Sequence, residues 1–289
     1  MLKSVAVIGS CQIGGVGHAL KSCSPSLDVR FLNPKNTKLS EAELVADALT
    51  ADAVVTQDVG PAAFHAANLS KKHDNVHFLP IFVFRGFHPD CALYLDRRQM
   101  IPGILGNYHS AIVSSFYALG LPESQTAALF NTLVYRALGY FDVFAISSAQ
   151  TLDQFAKAGY NILSNFERWM RLGQFMYTPN HPRLEILMDL GELLSIKLGT
   201  HTRDLERRPF NGNLRALGVW PIYPELAKSQ RMEGSLTFSF PRASGELQDI
   251  SLETFVADSY RLYSARGREE MLKIVAGPRL DVLRRLLSR

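Results

Sequence analysis

Cys11 stands in Gly9-Ser10-Cys11-Gln12, directly after the short apolar run Ser4 to Ile8 and before Gln12 to Lys21, which has helical composition despite its glycines. At a strand-to-helix turn the backbone N–H groups and the helix dipole favour an anion. A thiol held there is favoured as the thiolate, a nucleophile or a reactive contact for a ligand. The plainer reading is a small cysteine that fits a tight turn. Three further segments offer partners: His88-Pro89-Asp90, Tyr108-His109-Ser110, and Asn180-His181-Pro182. His109 is expected to begin a helix, where neutral imidazole is favoured and can act as a base. Each histidine taken alone is more often a satisfied structural residue than a catalyst. A cysteine with histidines elsewhere in the chain is nevertheless the residue set of acyl transfer, so Cys11, His109 and His181 are the catalytic candidates. Cys23 and Cys91, and His18, His65, His73, His77 and His201, have no such company and read as packing or surface residues.

The glycines invite a dinucleotide reading that fails on inspection. Gly9-x-Cys11-x-x-Gly14 resembles G-x-G-x-x-G with the middle glycine replaced, and that glycine is the one that lets backbone approach a pyrophosphate. The second apolar run also ends at Leu32-Asn33-Pro34, with no acidic residue for a ribose hydroxyl. A phosphate at the helix start is still open through Gly14, Gly15 and Gly17, as is simple packing through glycine. No H-E-x-x-H, paired-cysteine motif or carboxylate cluster points to a metal, so none is expected.

These residues need a scaffold, and the first half of the chain supplies one. Ser4 to Ile8, Asp28 to Leu32 and Ala53 to Thr56 read as strands, and Val76 to Phe84 holds a fourth. Between them lie the segment after Cys11, a helix opened by the capping-box spacing Ser40-x-x-Glu43, and a helix opened by Pro61. That alternation predicts an α/β fold, an open parallel sheet with crossover helices. Ligands of such sheets bind at the carboxyl ends of the strands, which is where Ser10, Gln12, Gln57 and the Phe84 to Asp90 segment fall. Arg85 to Gly106 reads as a long, functional loop. Tyr108 to Ser195 is a mostly helical elaboration broken at Gly120-Leu121-Pro122 and at Tyr177 to Pro182. We expect residues 1–200 to form the core with this elaboration. Residues 201–289 are expected to be an extension packed on it, with a strand at Leu236 to Phe240 and helix after Ser251.

Composition sets the bounds. The 289 residues are 47% hydrophobic and 20% charged, which excludes a disordered or disulfide-scaffold protein. A net charge of +4 is too small to diagnose nucleic-acid binding, and no nucleic-acid partner is expected. The longest apolar candidate, Leu129 to Ile146, is interrupted by Arg136 and Asp142, where a membrane span needs about 18 residues. The N-terminal run ends at Gly9, shorter than a signal-peptide core, and three cysteines without metal spacing fit a reducing cytoplasm. Residues 261–289 carry eight Lys or Arg against three acidic residues. Leu280, Leu283, Leu286 and Leu287 share a helical face, which predicts a docked helix with a basic outer side and no membrane attachment.

The segments VIGSCQ, ADAVVTQ, GFHPD, NYHSAIV and YTPNHP, in this order, resemble the WcbI-type family of capsular polysaccharide biosynthesis proteins. These bind coenzyme A and are taken to be O-acetyltransferases. The resemblance spans about Val5 to Leu198, with Ser10 where the family usually has Asn. It implies coenzyme A or acetyl-CoA as co-substrate and a sugar or polysaccharide precursor as acceptor. The implied coenzyme A contacts are Ser10, Gln12, Gly14, Gly15, Gln57, Arg85, His88, Asp90, Tyr108, Ser110 and Asn180. Arg97 and Arg98 are further candidate phosphate donors. A more distant similarity to SGNH-type esterases sets Cys11 beside their nucleophile and His181 at their catalytic histidine, with Thr178 where they carry Asp. The expected activity is acetyl transfer from acetyl-CoA to a sugar hydroxyl, with His109 or His181 as base and Cys11 either acylated or lying against the CoA thiol. A Cys- or Ser-dependent carbohydrate esterase and a non-catalytic CoA-binding protein are the alternatives.

Overall fold

The computed structural model describes residues 2–34, 38–202, 214–242, 244 and 246–288. The chain forms two compact units, each assembled from separated stretches. The first comprises Met1–Val83, Gln150–Phe175 and Asn180–Leu214; the second comprises Phe84–Ala149, Met176–Pro179 and Arg215–Arg289.

The first unit holds a four-stranded parallel sheet. Its strands are β1 (Ser4–Ile8), β2 (Asp28–Leu32), β3 (Ala53–Thr56) and β4 (Val76–Phe78), in the order β2-β1-β3-β4. Helices α1 (Ile13–Cys23) and α2 (Glu41–Ala48) make the first crossovers. Ser40 caps α2 through the reciprocal bonds of a capping box with Glu43. Ala6, Ile8, Leu32 and Val54 point to one face, where they meet Leu44, Val45 and Ala48 of α2 and Phe64 and Leu69 beyond β3. Val5, Val7, Val29 and Phe31 share the other face by register. There Gly17 of α1 lies so close to the Phe31 ring that a Cβ would collide with it. Helix α9 (Leu184–Lys197) packs on α1 by the same device, since Gly15 abuts Leu187 and Gly191 abuts the Val16 carbonyl.

Two elements of this unit are short. The fourth strand stops at Phe78, because Leu79 donates the last ladder bond to Thr56 and Pro80 has no N–H to continue it. The helix expected after Pro61 divides into a 3₁₀ turn, Ala62–Phe64, and a four-residue helix α3 (Ala66–Leu69). His65 is extended at the break, and the Asp58 carboxylate accepts from the Ala66 N–H at 2.7 Å.

The second unit contains the segment read as one long loop. It carries short strands β5 (Cys91–Ala92), β6 (Leu95–Asp96), β7 (Gln99–Met100) and β8 (His109–Ser110), with β6 paired to β7 and β5 to β8. Helices α4 (Ala111–Leu119), α5 (Glu123–Thr126) and α6 (Thr132–Ala137) follow, and α7 (Val143–Lys157) begins here. Helix α8 (Leu163–Arg171) and strand β10 (His181–Pro182) belong to the first unit, and β9 (Met176–Thr178) to the second. The second unit ends with α10 (Pro224–Ser229), a hairpin of β11 (Phe238–Pro241) and β12 (Leu247–Ile250), and α11 (Leu252–Ser264), α12 (Arg268–Ile274) and α13 (Pro278–Leu287). Helix α13 is docked through buried Leu280 and Leu283, with Arg284 and Arg285 exposed. Among the described residues no helix is long and apolar enough to cross a membrane.

Candidate functional site

In the strand order β2-β1-β3-β4, the sequence of crossovers reverses between β1 and β3, and the carboxyl ends of those two strands are where open sheets bind ligands. Gly9 to Gln12 leave β1 there, and Gln57 leaves β3, its N–H donating to the Ile8 carbonyl at 3.0 Å. The Gln57 side chain turns back across the switch point. Its Oε1 accepts from both the N–H and the hydroxyl of Ser10, at 3.0 Å each. Only glycine fits at position 9, because a Cβ would strike Gln57 Oε1 and Ile13 Cγ2.

Gln12 is buried completely and uses its amide inside the protein. Its Oε1 accepts from the Phe82 N–H at 3.0 Å, and its Nε2 donates to the carbonyls of Phe82 and Asn180, both at 2.8 Å. Phe82 is immobilised in turn, with its ring 5.2 Å from Trp169 and 5.9 Å from Phe155 between centroids. The Cys11 turn is thereby tied to the Asn180–His181 turn inside the first unit. Cys11 is exposed, and none of the three cysteines is in a disulfide. His181 is buried, and burial lowers its pKa to about 4, so the imidazole is neutral at neutral pH.

Gln12 therefore holds the turns in place rather than offering an amide to a ligand. Gly14 is exposed with open space around it, whereas Gly15 is closed off by Leu187. The Cα side of Gly15 is therefore used in helix packing.

The candidates of the second unit form a different kind of cluster. Asp90 is fully buried, with Oδ1 accepting from the Ile112 N–H at 2.9 Å and the Tyr140 hydroxyl at 3.0 Å. Its Oδ2 accepts from the Tyr223 hydroxyl at 2.7 Å, and the Ser110 hydroxyl also bonds the carboxylate. Burial pushes the Asp90 pKa up, and these donors oppose the shift. Asp90 is a structural hub: its N–H and O–H donors hold β8, α4 and the segment before α10 to one carboxylate. His88, in the same turn, is fully buried; desolvation lowers its pKa to about 3, against a backbone hydrogen bond with Trp220. Arg85 is exposed, and its guanidinium donates to the Cys91 carbonyl at 3.3 Å.

His109 does not begin a helix; it lies in β8, and Ser110 caps α4 by accepting from the Val113 N–H. Its Nε2–H donates to the Ile101 carbonyl at 3.0 Å, so its Nδ1 accepts from the Tyr263 hydroxyl, also at 3.0 Å. Neither ring nitrogen has a lone pair left for an acceptor proton. Tyr108 is buried, and its hydroxyl accepts from Thr178 at 3.1 Å. Tyr140, Tyr223 and Tyr263 complete these networks from positions that no local pattern marks. Only the fold supplies their partners.

A four-stranded parallel sheet with a glycine-and-thiol turn at its switch point defines an open α/β protein. The family described as polysaccharide biosynthesis enzyme WcbI matches residues 4–203, and the chain belongs to that family. A solved WcbI structure, described as that of a novel polysaccharide biosynthesis enzyme in its native form without a disulfide bond between CoA and a cysteine, shares the fold. Its TM-score is 0.69 at 14% identity, covering 100% of this chain and 97% of that one. None of the curated proteins compared matches the chain.

Proposed function

We propose that the protein transfers an acetyl group from acetyl-CoA to a sugar hydroxyl within polysaccharide biosynthesis, in a cytoplasmic setting. The observation that carries this reading is the Gln12 Nε2 bond to the Asn180 carbonyl, which couples the turn bearing Cys11 to the turn bearing His181. His181, kept neutral by burial, takes the proton of the acceptor hydroxyl. The hydroxyl oxygen bonds to the thioester carbonyl carbon, the carbon–sulfur bond breaks, and the departing CoA sulfur recovers the proton from the imidazolium. The positive end of α1 stabilises the oxyanion that forms in between. Cys11, exposed at that helix start, lies against the CoA thiol rather than carrying the acetyl group, since exchange of a thioester for a thioester gains no free energy. The naming of CoA together with a cysteine in the description of a solved WcbI structure supports CoA as the co-substrate.

The test follows acetyl-CoA with and without a sugar acceptor. Sugar-dependent loss of acetyl-CoA with equimolar CoA release supports transfer. Ester hydrolysis without acetyl-CoA consumption points to the esterase alternative, and tight CoA binding with neither activity points to a binding protein. Failure of millimolar CoA to raise Tm removes the reading, because a ligand of the folded state must stabilise it.

A further inference from the structure

The second unit presents a β-hairpin whose outward face is apolar and whose tip is basic. Strands β6 and β7 pair Leu95 with Met100 and Asp96 with Gln99, so Arg97 and Arg98 alone make the loop. The Ile101 N–H donates to the Tyr94 carbonyl at 3.0 Å and continues the ladder toward the base. Alternation along the two strands then divides the side chains. Tyr94 and Ile101 face inward. The Tyr94 hydroxyl bonds Ser114 at 2.7 Å, its ring lies 5.0 Å from that of His109, and Ile101 is buried. The opposite face carries Leu93, Leu95 and Met100, which are 47%, 58% and 47% exposed. A hairpin with one face packed ordinarily turns polar residues to water on the other. This one is anchored at its base and turns three large apolar side chains outward.

The tip departs from turn chemistry as well. Arg97 and Arg98 both have positive φ, 46° and 70°, the signs of a type I′ turn that Asn-Gly or Gly-Gly adopts without strain. They are two of the four non-glycine residues with positive φ among those described. Strain of this kind persists where the side chains are needed for something else. Both arginines are exposed, and the neighbouring Asp96 carboxylate faces Arg266 at 3.6 Å.

We infer that this hairpin, Leu93 to Met100, docks the protein on an anionic lipid surface, with Arg97 and Arg98 on headgroup phosphates and Leu93, Leu95 and Met100 at the acyl boundary. Charge complementarity selects the occupant: a polar-rimmed protein partner would not need paired cations at the tip of an apolar finger. Three side chains also fall well short of the ~800 Å² per partner that a stable dimer buries. The attachment is separate from α13, whose leucines at 280 and 283 are buried.

Co-sedimentation of the full chain with vesicles tests this, using phosphatidylcholine alone or mixed with phosphatidylglycerol. Binding is expected only with the anionic lipid and to weaken with salt. Each arginine near such a surface contributes on the order of fivefold, so R97Q/R98Q should bind about 30-fold more weakly. L95S/M100S should weaken binding while lowering Tm by no more than about 3 °C, since both side chains are about half exposed and lose little beyond their cross-strand contact. Arg98→Gly relieves the backbone and should raise Tm by about 1–3 °C while it lowers vesicle binding, opposite movements that a purely structural turn would not give. Absence of binding to anionic vesicles overturns the inference, as does binding that none of these variants alters. It is equally overturned if inorganic pyrophosphate binds as tightly as vesicles and the apolar variants have no effect, or if L95S/M100S abolishes a concentration-dependent dimer instead.

Discussion

The side-chain amide of Gln12 pairs with Phe82 through both arms, accepting from its N–H at 3.0 Å and donating to its carbonyl at 2.8 Å. This is the pattern a neighbouring strand would offer, supplied by one side chain where β4 has already ended at Phe78. The second Nε2 hydrogen goes to the Asn180 carbonyl, so a residue adjacent to Cys11 holds both the strand extension and the approach to His181.

Gln12→Ala should therefore destabilise the fold by about 3 kcal/mol, because it leaves the buried polar groups of Phe82 unpaired along with the Asn180 carbonyl. Gln12→Glu should cost at least as much, since it sets an acceptor against two carbonyls. Urea denaturation measures both, and a loss below about 0.5 kcal/mol for Gln12→Ala would show that the tie is not structural.

Cys11 and His181 separate the two routes of transfer. Cys11→Ala should retain measurable transfer, whereas His181→Ala should lose roughly 10²–10⁴-fold. Intact-mass analysis after incubation with acetyl-CoA should show no acetyl adduct on Cys11. An adduct discharged by added sugar would reverse the assignment.

The pH profile follows from the state of His181. Burial holds its pKa at about 4, so the active neutral form persists from neutral pH down to that region. The kcat/KM profile should be flat near neutrality and fall on the acid side with a limb near 4. A limb at 6.5 or above would identify a different, exposed base.

Stability should depend on pH through His88. The folded imidazole titrates near 3 and an unfolded one near 6.5. As pH falls below 6.5 the unfolded chain takes up the proton first, so stability declines from 6.5 towards 3, by on the order of 5 kcal/mol over the whole window. Asp90, whose pKa is raised by burial, acts with the opposite sign, so the diagnostic is the difference between wild type and His88→Gln. The variant should lose less stability between pH 7 and pH 4. Equal slopes would contradict a buried neutral His88.

Asp90 holds donors from three separate stretches of the second unit. Asp90→Ala should cost about 3–5 kcal/mol, because Tyr140, Tyr223 and the Ile112 N–H lose a common acceptor in a dry setting. Asp90→Asn keeps an oxygen for part of the network and should cost less. Near-UV circular dichroism should report the loosened tyrosines, and an Asn variant as damaged as Ala would mean that the charge itself is required.

The bounds of β1, β2 and β3, the Ser40 capping box and the thiol turn were legible in sequence because each rests on local chemistry: β-branched apolar runs, a side chain bonding three residues along, and a glycine before a helix. The expectation that a ligand meets the strand ends rests on alternation alone, since parallel crossovers leave few arrangements. What tertiary structure decided is which polar atoms were left for a ligand. Gln12 and Asp90 read as contacts and prove to be internal ties; His109 reads as a base and has both nitrogens engaged; Gly15 reads as phosphate backbone and meets Leu187. A leucine of α9 meets Gly15 from 172 positions away, and the hydrogen-bond partners Phe82, Tyr263, Tyr140 and Tyr223 lie between 50 and 154 positions from the residues they bond. A hydrogen bond of that span leaves no periodicity and no spacing rule, because its geometry exists only once the chain has closed on itself.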